Sequence, residues 1–213
     1  MPAPSLHRLD PSGAPSGLVL MLHGGQEAGL DPVDDRSASW RRSRWMQRQI
    51  ARRIRSQGVA LWLLRYRHRG WNAGAAPQPS PVPDARWALE QARSELGPLP
   101  VVLLGHSMGA RTAVAVADDP SVVGVVALAP WLPPGEPVHP LTGKHLTAAH
   151  GRADRITSFA ATDGFVRRAS TVAAGAELVD MGDLGHYMLR GLRRWNDVAA
   201  DRSLQLLREP AER

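Results

Sequence analysis

One serine of this chain lies where its hydroxyl could act as a nucleophile. The apolar run Val101–Leu104 leads into GHSMG (residues 105–109), and a helical pattern follows at once. A strand that turns directly into a helix needs glycine on both sides, because a Cβ would clash where the backbone reverses. The turn would present the Ser107 hydroxyl near the positive end of the helix dipole, which stabilises a developing oxyanion. The pattern favours a nucleophilic serine over the alternative, a serine that only caps a helix.

The elements that must position this serine alternate along the chain. Continuous apolar runs of strand length and helix-length segments follow one another, which is typical of a parallel sheet covered on both faces. The predicted strands are Leu18–Leu22, Val59–Tyr66, Val101–Leu104, Val122–Ala129, Leu146–His150 and Ala176–Met181. The predicted helices are Ser39–Gln57, Pro83–Leu96, Ala110–Asp118, Thr157–Ala174 and Tyr187–Leu207.

These elements predict an α/β fold: a three-layer α/β/α sandwich with a mostly parallel sheet of about six to seven strands. Residues 1–213 are expected to form one domain, in which residues 1–16 are a loosely ordered segment or an edge strand near Ser5–Leu9. The loops Gly70–Pro83 and Trp131–Thr142 each follow a strand, so we expect both at the carboxyl edge of the sheet, where such folds hold their sites.

Composition excludes several kinds of protein. The 213 residues include no cysteine, which rules out a disulfide framework, thiol catalysis and thiolate metal ligands. His, Asp and Glu show no convincing metal-ligand spacing, so no metal or other cofactor is expected. No apolar run is long enough to cross a membrane and no apolar leader is visible at the N-terminus, so a cytoplasmic location without a membrane span is expected.

Positive charge is concentrated in one part of the chain. Residues 36–69 hold eleven arginines and no acid, whereas the rest has fifteen Lys and Arg against twenty acids. On a helical wheel of Ser39–Gln57, Met46, Ile50 and Ile54 share the face expected to pack on the sheet. The opposite, solvent-facing side forms what we call the arginine stripe: Arg41, Arg44, Arg48, Arg52 and Arg55.

The arginine stripe has two interpretations. The first is a solvated basic face in an arginine-rich chain. The second makes the protein a non-catalytic binding protein that uses helix 39–57 for an anionic partner, and the start of this helix could also favour anionic substrates. Nucleic acid is disfavoured as the partner, because the chain has no known nucleic-acid motif. The oligomeric state is not predicted.

The order of motifs resembles the α/β-hydrolase superfamily over nearly the whole chain. An HG turn in LVLMLHGGQ (18–26) is followed by GHSMG, by an aspartate in LTAAHGRADRITS (146–158) and by a histidine in AELVDMGDLGHYM (176–188). Within the superfamily the chain looks most similar to small bacterial dienelactone-hydrolase-like serine hydrolases. The resemblance implies a hydrolase of ester, thioester or lactone bonds in a small-molecule acyl substrate, acting through an acyl-enzyme.

The resemblance also implies a catalytic triad. Ser107 would be the nucleophile, His186 the general base and acid, and Asp154 the group that orients the histidine. Asp180, which ends the next strand, is the second candidate for the acid. The alternatives are a capping or surface role for Asp154 and a solvent-facing loop position for His186. His150 is expected to be a structural hydrogen-bonding residue.

The oxyanion hole and the substrate pocket follow from the same resemblance. The backbone N–H groups of Gly25 and Met108 would hold the oxyanion, with Gln26 as an alternative donor; otherwise residues 23–25 are a plain strand-ending turn. Gln26, Trp71 and Trp131 are the candidate substrate-binding residues, although both tryptophans could simply pack in the core. The segment between the strands at 122–129 and 146–150 is too short and too rich in Pro and Gly for a helical lid, so we expect an open site.

Overall fold

A seven-stranded sheet forms the centre of the protein in a computed structural model, which describes residues 3–74 and 76–208. The strands are β1 (Ser5–Leu9), β2 (Gly17–Leu22), β3 (Val59–Arg65), β4 (Val101–His106), β5 (Val122–Leu128), β6 (His145–His150) and β7 (Gly175–Asp180). The helices are α1 (Ala38–Arg55), α2 (Pro81–Leu96), α3 (Met108–Ala115), α4 (Phe159–Ala169) and α5 (Leu192–Arg208).

The sheet order is β1-β3-β2-β4-β5-β6-β7, and only the edge strand β1 is antiparallel to its neighbour. Helices α1 and α5 contact each other and cover one face. Helices α2 and α3 pack together on the other face, and α4 covers β6 and β7. The predicted α/β/α sandwich is confirmed, with six parallel strands and one edge strand at Ser5–Leu9.

The core lies where the continuous apolar runs predicted it. Every residue of β2 and β4 is buried, since helices cover both faces of these central strands. In α1 the apolar face turns inward, and Met46, Ile50 and Ile54 are 5%, 2% and 0% exposed. Burying such a side chain contributes about 1.5–3 kcal/mol. This pattern fixes which side of α1 faces the sheet, and therefore which arginines face solvent.

The connection between β5 and β6 contains no lid. Residues 129–144 hold only a short 3-10 turn, His139–Leu141, and otherwise run as loop. The predicted lidless form of the fold is confirmed. Among the described residues, no helix combines the length and apolar character that a membrane crossing requires.

Candidate active site

The site lies where the sheet connections change direction. The chain leaves β2 towards β3 on one side and leaves β4 towards β5 on the other, so a crevice opens between the carboxyl ends of β2 and β4. Residues 23–25 follow β2 and Ser107 follows β4, which brings the two predicted motifs to the same point.

The turn at Ser107 is as sharp as the two flanking glycines require. Ser107 has φ 54° and ψ −118°, a left-handed conformation that costs a non-glycine residue about 1–3 kcal/mol. A Cβ at Gly105 would overlap the backbone of Ala110, and one at Gly109 would overlap the carbonyl oxygen of Leu22. The helix can therefore start directly above β2 only because both positions are glycine.

A chain of hydrogen bonds joins three of the predicted site residues. The Ser107 hydroxyl lies 3.1 Å from Nε2 of His186, and Nδ1 of the same ring lies 2.8 Å from Oδ2 of Asp154. With Nδ1–H donating to the carboxylate, Nε2 is free to accept the serine proton. Loops after three different strands thus bring together a hydroxyl, a base and a carboxylate.

Asp154 is held by more donors than the resemblance implied. Its Oδ1 accepts the backbone N–H groups of Ile156 and Thr157, and its Oδ2 accepts the Thr157 hydroxyl at 2.9 Å. His150 Nε2 lies 3.2 Å from the same Oδ2, while its Nδ1 lies 2.7 Å from the Thr162 hydroxyl. His150 therefore contacts the carboxylate that binds His186.

The pKa of Asp154 reflects this cage. Burial by itself would raise the pKa of the carboxyl, but hydrogen bonds from His150, from His186 and from the backbone N–H groups of Thr157 and Ile156 outweigh it. The pKa is held well below its ordinary range. The carboxylate is consequently charged at any pH where the protein would work, as an orienting acid requires.

Two backbone N–H groups beside Ser107 are unused. Neither Gly25 nor Met108 donates its N–H to any residue in the described part of the chain. The two residues are in contact, since a Cβ at Gly25 would overlap the end of the Met108 side chain. The Gln26 N–H, in contrast, donates to the carbonyl of Arg69 at 2.9 Å, so it is already occupied.

His23 anchors the loop that carries Gly25. It is fully buried, its Nδ1 lies 2.6 Å from the Gly24 carbonyl, and its Nε2 accepts the N–H of Tyr66 at 3.3 Å. Burial lowers the pKa of His23 to about 4. The ring is therefore neutral. A proton on Nε2 would point at the Tyr66 N–H, so the proton belongs on Nδ1, beside the Gly24 carbonyl.

His106, inside the serine turn, holds the His186 loop. Its Nε2 lies 3.0 Å from the backbone carbonyl of His186, and the two rings are 5.0 Å apart. Burial, followed by the nearby His186 and Arg42, lowers the pKa of His106 to about 3. The ring is neutral, so Nε2–H can donate to that carbonyl.

Acid is expected to destabilise the protein through these two histidines. The pKa values of His23 and His106 are about 4 and 3 in the folded state, against about 6.5 in the unfolded state. At a pH between the folded and unfolded values, the unfolded chain therefore binds more protons than the folded protein. Their stabilising effect is complete above pH 6.5 and is lost as the pH falls. Between pH 6.5 and 5 we expect the free energy of unfolding to drop by about 2 kcal/mol per histidine.

Urea denaturation at pH 7.5, 6.5 and 5 measures this loss. A His23→Gln variant lacks one of the two groups and should show about half the pH dependence. A free energy of unfolding in the wild type that does not change from pH 6.5 to 5 would contradict the prediction.

A cavity of about 360 Å³ opens above Ser107. Its lining includes residues 24–26, 36–39 and 106–107 together with Arg42, Arg69, His186 and Tyr187. Ser107 is only 8% exposed, because the start of α1 and the His186 loop wall it in. The expected open site is thus lidless but recessed.

The three predicted substrate-binding residues separate in space. Gln26 lines the cavity, but Trp71 and Trp131 are not among the residues that line it. Instead the two tryptophans hold the Arg111 guanidinium at 4.2 and 4.6 Å from their rings, and Arg111 pairs with Glu136 at 2.6 Å. Both side chains therefore pack against Arg111, and a role of Trp71 and Trp131 in substrate binding stays a prediction.

Sequence reasoning missed several residues of the site. Thr157 binds the carboxylate, and Arg42 and Tyr187 line the cavity. A signal existed for Arg42, because it lies one helical turn before Met46, on the side of α1 that packs inward. In residues 3–74 and 76–208, no group of three or more His, Asp or Glu side chains is placed to hold a metal ion.

Solved structures share this architecture at low sequence identity. An α/β serine hydrolase homologue from Coxiella burnetii superposes with a TM-score of 0.69 at 16% identity, covering 93% of this chain and 91% of its own. A lidless α/β serine hydrolase from Xanthomonas campestris gives 0.69 at 17%, covering 97% and 91%. Esterase 2 from Thermogutta terrifontis, phosphonylated by cyclosarin, gives 0.71 at 16%, covering 95% and 89%.

Sequence comparison places the chain in a family. No curated protein matches it. The model of the alpha/beta hydrolase family, however, matches residues 19–211, which is most of the chain and includes most of β2 and every element from α1 to α5. The chain belongs to the alpha/beta hydrolase family.

Proposed function

We propose that this protein is a serine hydrolase that cleaves ester or thioester bonds of a small acyl substrate through an acyl-enzyme. The observation that carries the proposal is the hydrogen-bonded chain Ser107–His186–Asp154 beside two unused N–H groups. A nucleophile, a base with its orienting acid, and oxyanion donors are the parts that acyl transfer requires. No metal or cofactor is needed for this chemistry.

The reaction would proceed in two halves. Ser107 Oγ bonds to the acyl carbon while its proton passes to His186 Nε2, and the carbonyl oxygen becomes an oxyanion held by the N–H groups of Gly25 and Met108. The bond to the leaving oxygen or sulfur then breaks, and His186 returns the proton to that atom. Water attacks the acyl-enzyme by the same route, releasing the acid and restoring the serine.

Asp154 acts through His186 in both halves. Its carboxylate keeps the Nδ1–H tautomer and stabilises the imidazolium that forms when the serine proton is transferred. His150 and Thr157 are positioning residues, since they bind the carboxylate and touch no reacting atom. That esterase 2 of Thermogutta terrifontis reacts with an organophosphorus compound is in keeping with a serine nucleophile in this fold.

The acyl-enzyme can be tested directly. A fluorophosphonate should label the protein once, and the label should lie on the tryptic peptide 94–111, which contains only two serines, Ser94 and Ser107. Mass spectrometry with fragmentation should assign it to Ser107. With 4-nitrophenyl acetate, an initial burst of nitrophenol equal to the enzyme concentration is expected if deacylation is the slower half.

Two results would count against the proposal. One is a label on another residue or none at all. The other is a failure to hydrolyse any short acyl ester or thioester, which would favour the alternative of a non-catalytic binding protein. The narrower likeness to dienelactone-hydrolase-like enzymes remains a prediction, which a panel of lactones beside open-chain esters would test.

A further inference from the structure

The cavity above Ser107 carries positive charge that acyl transfer does not use. Three of its lining residues are arginines, namely Arg36, Arg42 and Arg69, and none is an aspartate or glutamate. Arg69 has an acid partner outside the lining, since its Nη2 lies 3.4 Å from Oδ1 of Asp34. The guanidinium groups of Arg36 and Arg42 have no carboxylate partner among the described residues.

Arg42 is the most unusual of the three. It is partly buried, and no hydrogen bond or ion pair of its side chain with a described residue is found. Among residues 3–74 and 76–208, its guanidinium carbon lies over the ring of Tyr187, 4.9 Å from the ring centroid. Burial lowers its pKa, but an arginine stays protonated at any physiological pH. A partly buried cation without a counter-charge lowers stability unless a ligand provides one.

Other arginines show how this protein pairs a guanidinium that it buries for structure. Arg111, with 16% of its side chain exposed, binds Glu136 at 2.6 Å between two tryptophans. Arg67 binds the buried Asp84 at 2.6 Å. Unlike Arg111 and Arg67, Arg42 has no carboxylate partner among the described residues, and it lies at the wall of the cavity that holds Ser107.

The position of Arg42 follows from the geometry of α1. This helix begins at the carboxyl edge of the sheet, and Arg42 lies one turn before the buried Met46. One face of α1 therefore has two environments: at the start of the helix it faces the cavity, and further along it packs on the sheet. The exposed members of the arginine stripe, such as Arg48 and Arg52, lie on the opposite side.

We propose that the substrate carries an anionic group, a carboxylate or a phosphate, that binds Arg42 together with Arg36 and Arg69 while its acyl carbon lies at Ser107. This inference rests on the proposed hydrolase function and adds the substrate class. A guanidinium presents a planar pair of N–H donors that matches two oxygens of such an anion. The cavity of about 360 Å³ is at the small end of ligand pockets, so one compact molecule would reach both points.

Two matched pairs of esters test the charge and the side on which it lies. Mono-4-nitrophenyl glutarate against its methyl ester places the carboxylate on the acyl side, and 4-acetoxybenzoate against methyl 4-acetoxybenzoate places it on the leaving group. 4-Acetoxyphenyl phosphate, the phosphate analogue of 4-acetoxybenzoate, compares a phosphate with a carboxylate on the leaving group. In at least one pair we expect kcat/KM to be about 10- to 100-fold higher for the anion, because a charge-assisted hydrogen bond has that effect.

Variants of Arg42 assign the preference. Arg42→Gln should lower kcat/KM for the anionic ester about 10- to 100-fold more than it lowers kcat/KM for the matched neutral ester. Arg42→Lys should retain part of the preference, since it keeps the charge but loses the paired donors. Arg52→Gln is the matched control: the same charge is lost from the same helix, about 15 Å away along its axis, where salt screens it.

Binding without turnover separates this inference from the proposed function. Titration of Ser107→Ala with 4-acetoxybenzoate and with mono-4-nitrophenyl glutarate should give, for at least one of the two anions, a Kd that Arg42→Gln in the same background raises about 10-fold or more. Binding of this kind with no ester hydrolysed by the wild type would retain the anion site and reject the hydrolase. Hydrolysis that depends on Ser107 but shows equal rates within both pairs, or an unchanged preference in Arg42→Gln, would overturn the anion site alone.

Discussion

Ser107→Ala is expected to lower kcat for short acyl esters by about 10⁶-fold, the scale of effect seen when the nucleophile of a triad is removed. The loss is this large because an alanine cannot form the acyl-enzyme, so water would have to attack the substrate directly. Residual rate enhancement of about 10³–10⁴-fold over water would remain from the proposed oxyanion donors Gly25 and Met108 and from binding. Hydrolysis of 4-nitrophenyl acetate by purified wild type and variant measures the effect.

The variant should fold as the wild type does. Ser107 gives up only its hydroxyl, whose hydrogen bond runs to His186, and its backbone keeps the same contacts. Ser170→Ala is the control, because Ser170 is exposed just past α4, where its hydroxyl donates to the Arg167 carbonyl. Equal activity of Ser107→Ala and Ser170→Ala would reject Ser107 as the nucleophile.

Asp154→Asn is expected to lower kcat by about 10⁴-fold with little change in KM. An amide has no charge to stabilise the His186 imidazolium. In the wild type Nδ1–H of His186 donates to the carboxylate, whereas in the variant the amide NH₂ group would itself be a donor facing Nδ1. His186 would then favour the tautomer with its proton on Nε2, which cannot accept the serine proton. Steady-state kinetics over a range of pH separates this loss from a simple loss of substrate binding.

Asp180→Asn provides the matched control for this variant. From the sequence Asp180 was the second candidate for the acid, since it ends β7 shortly before His186. In the structure its carboxylate binds Arg152 at 2.7 Å and the Gly182 N–H at 2.8 Å, on the surface. We expect Asp180→Asn to keep kcat within about threefold. The opposite result, with Asp154→Asn active and Asp180→Asn inactive, would exchange the roles of the two acids.

The choice between these two aspartates illustrates what chain order can predict. Asp154 follows β6 and Asp180 ends β7, both at the carboxyl edge of the sheet. Their separation from His186 along the chain does not tell which carboxylate is nearer to its ring in space. Strand position tells only that both lie at the same edge. The structure ranks them, since Asp154 lies 2.8 Å from His186 whereas Asp180 is paired with Arg152.

The substrate-binding candidates show the limit of composition as a guide. Tryptophans in loops next to a nucleophile are reasonable pocket residues, and the structure adds that both rings contact Arg111, which composition does not predict. A side chain on a loop can turn to several neighbours, and the packing of the whole loop selects one. Arg42 shows the opposite error, since the helical pattern contains it but does not single it out. Its position at the cavity depends on where α1 begins relative to the sheet.

The sequence by itself determined the elements and their layers. A strand that is buried on both faces is a continuous apolar run, and an amphipathic helix has apolar residues with a period of 3.6 on its inner face. Both patterns can therefore be recognised locally in the sequence. It also determined the sharp turn at Ser107, because the two flanking glycines are a local steric requirement.

The tertiary structure alone decided which polar groups meet. Ser107, Asp154 and His186 come from loops far apart in the chain, and distances between them depend on how seven strands align. The same is true of the Gln26 N–H, which is occupied by the Arg69 carbonyl, and of the three arginines that surround one cavity without an acid. Such contacts are long-range, so no local pattern of residues encodes them.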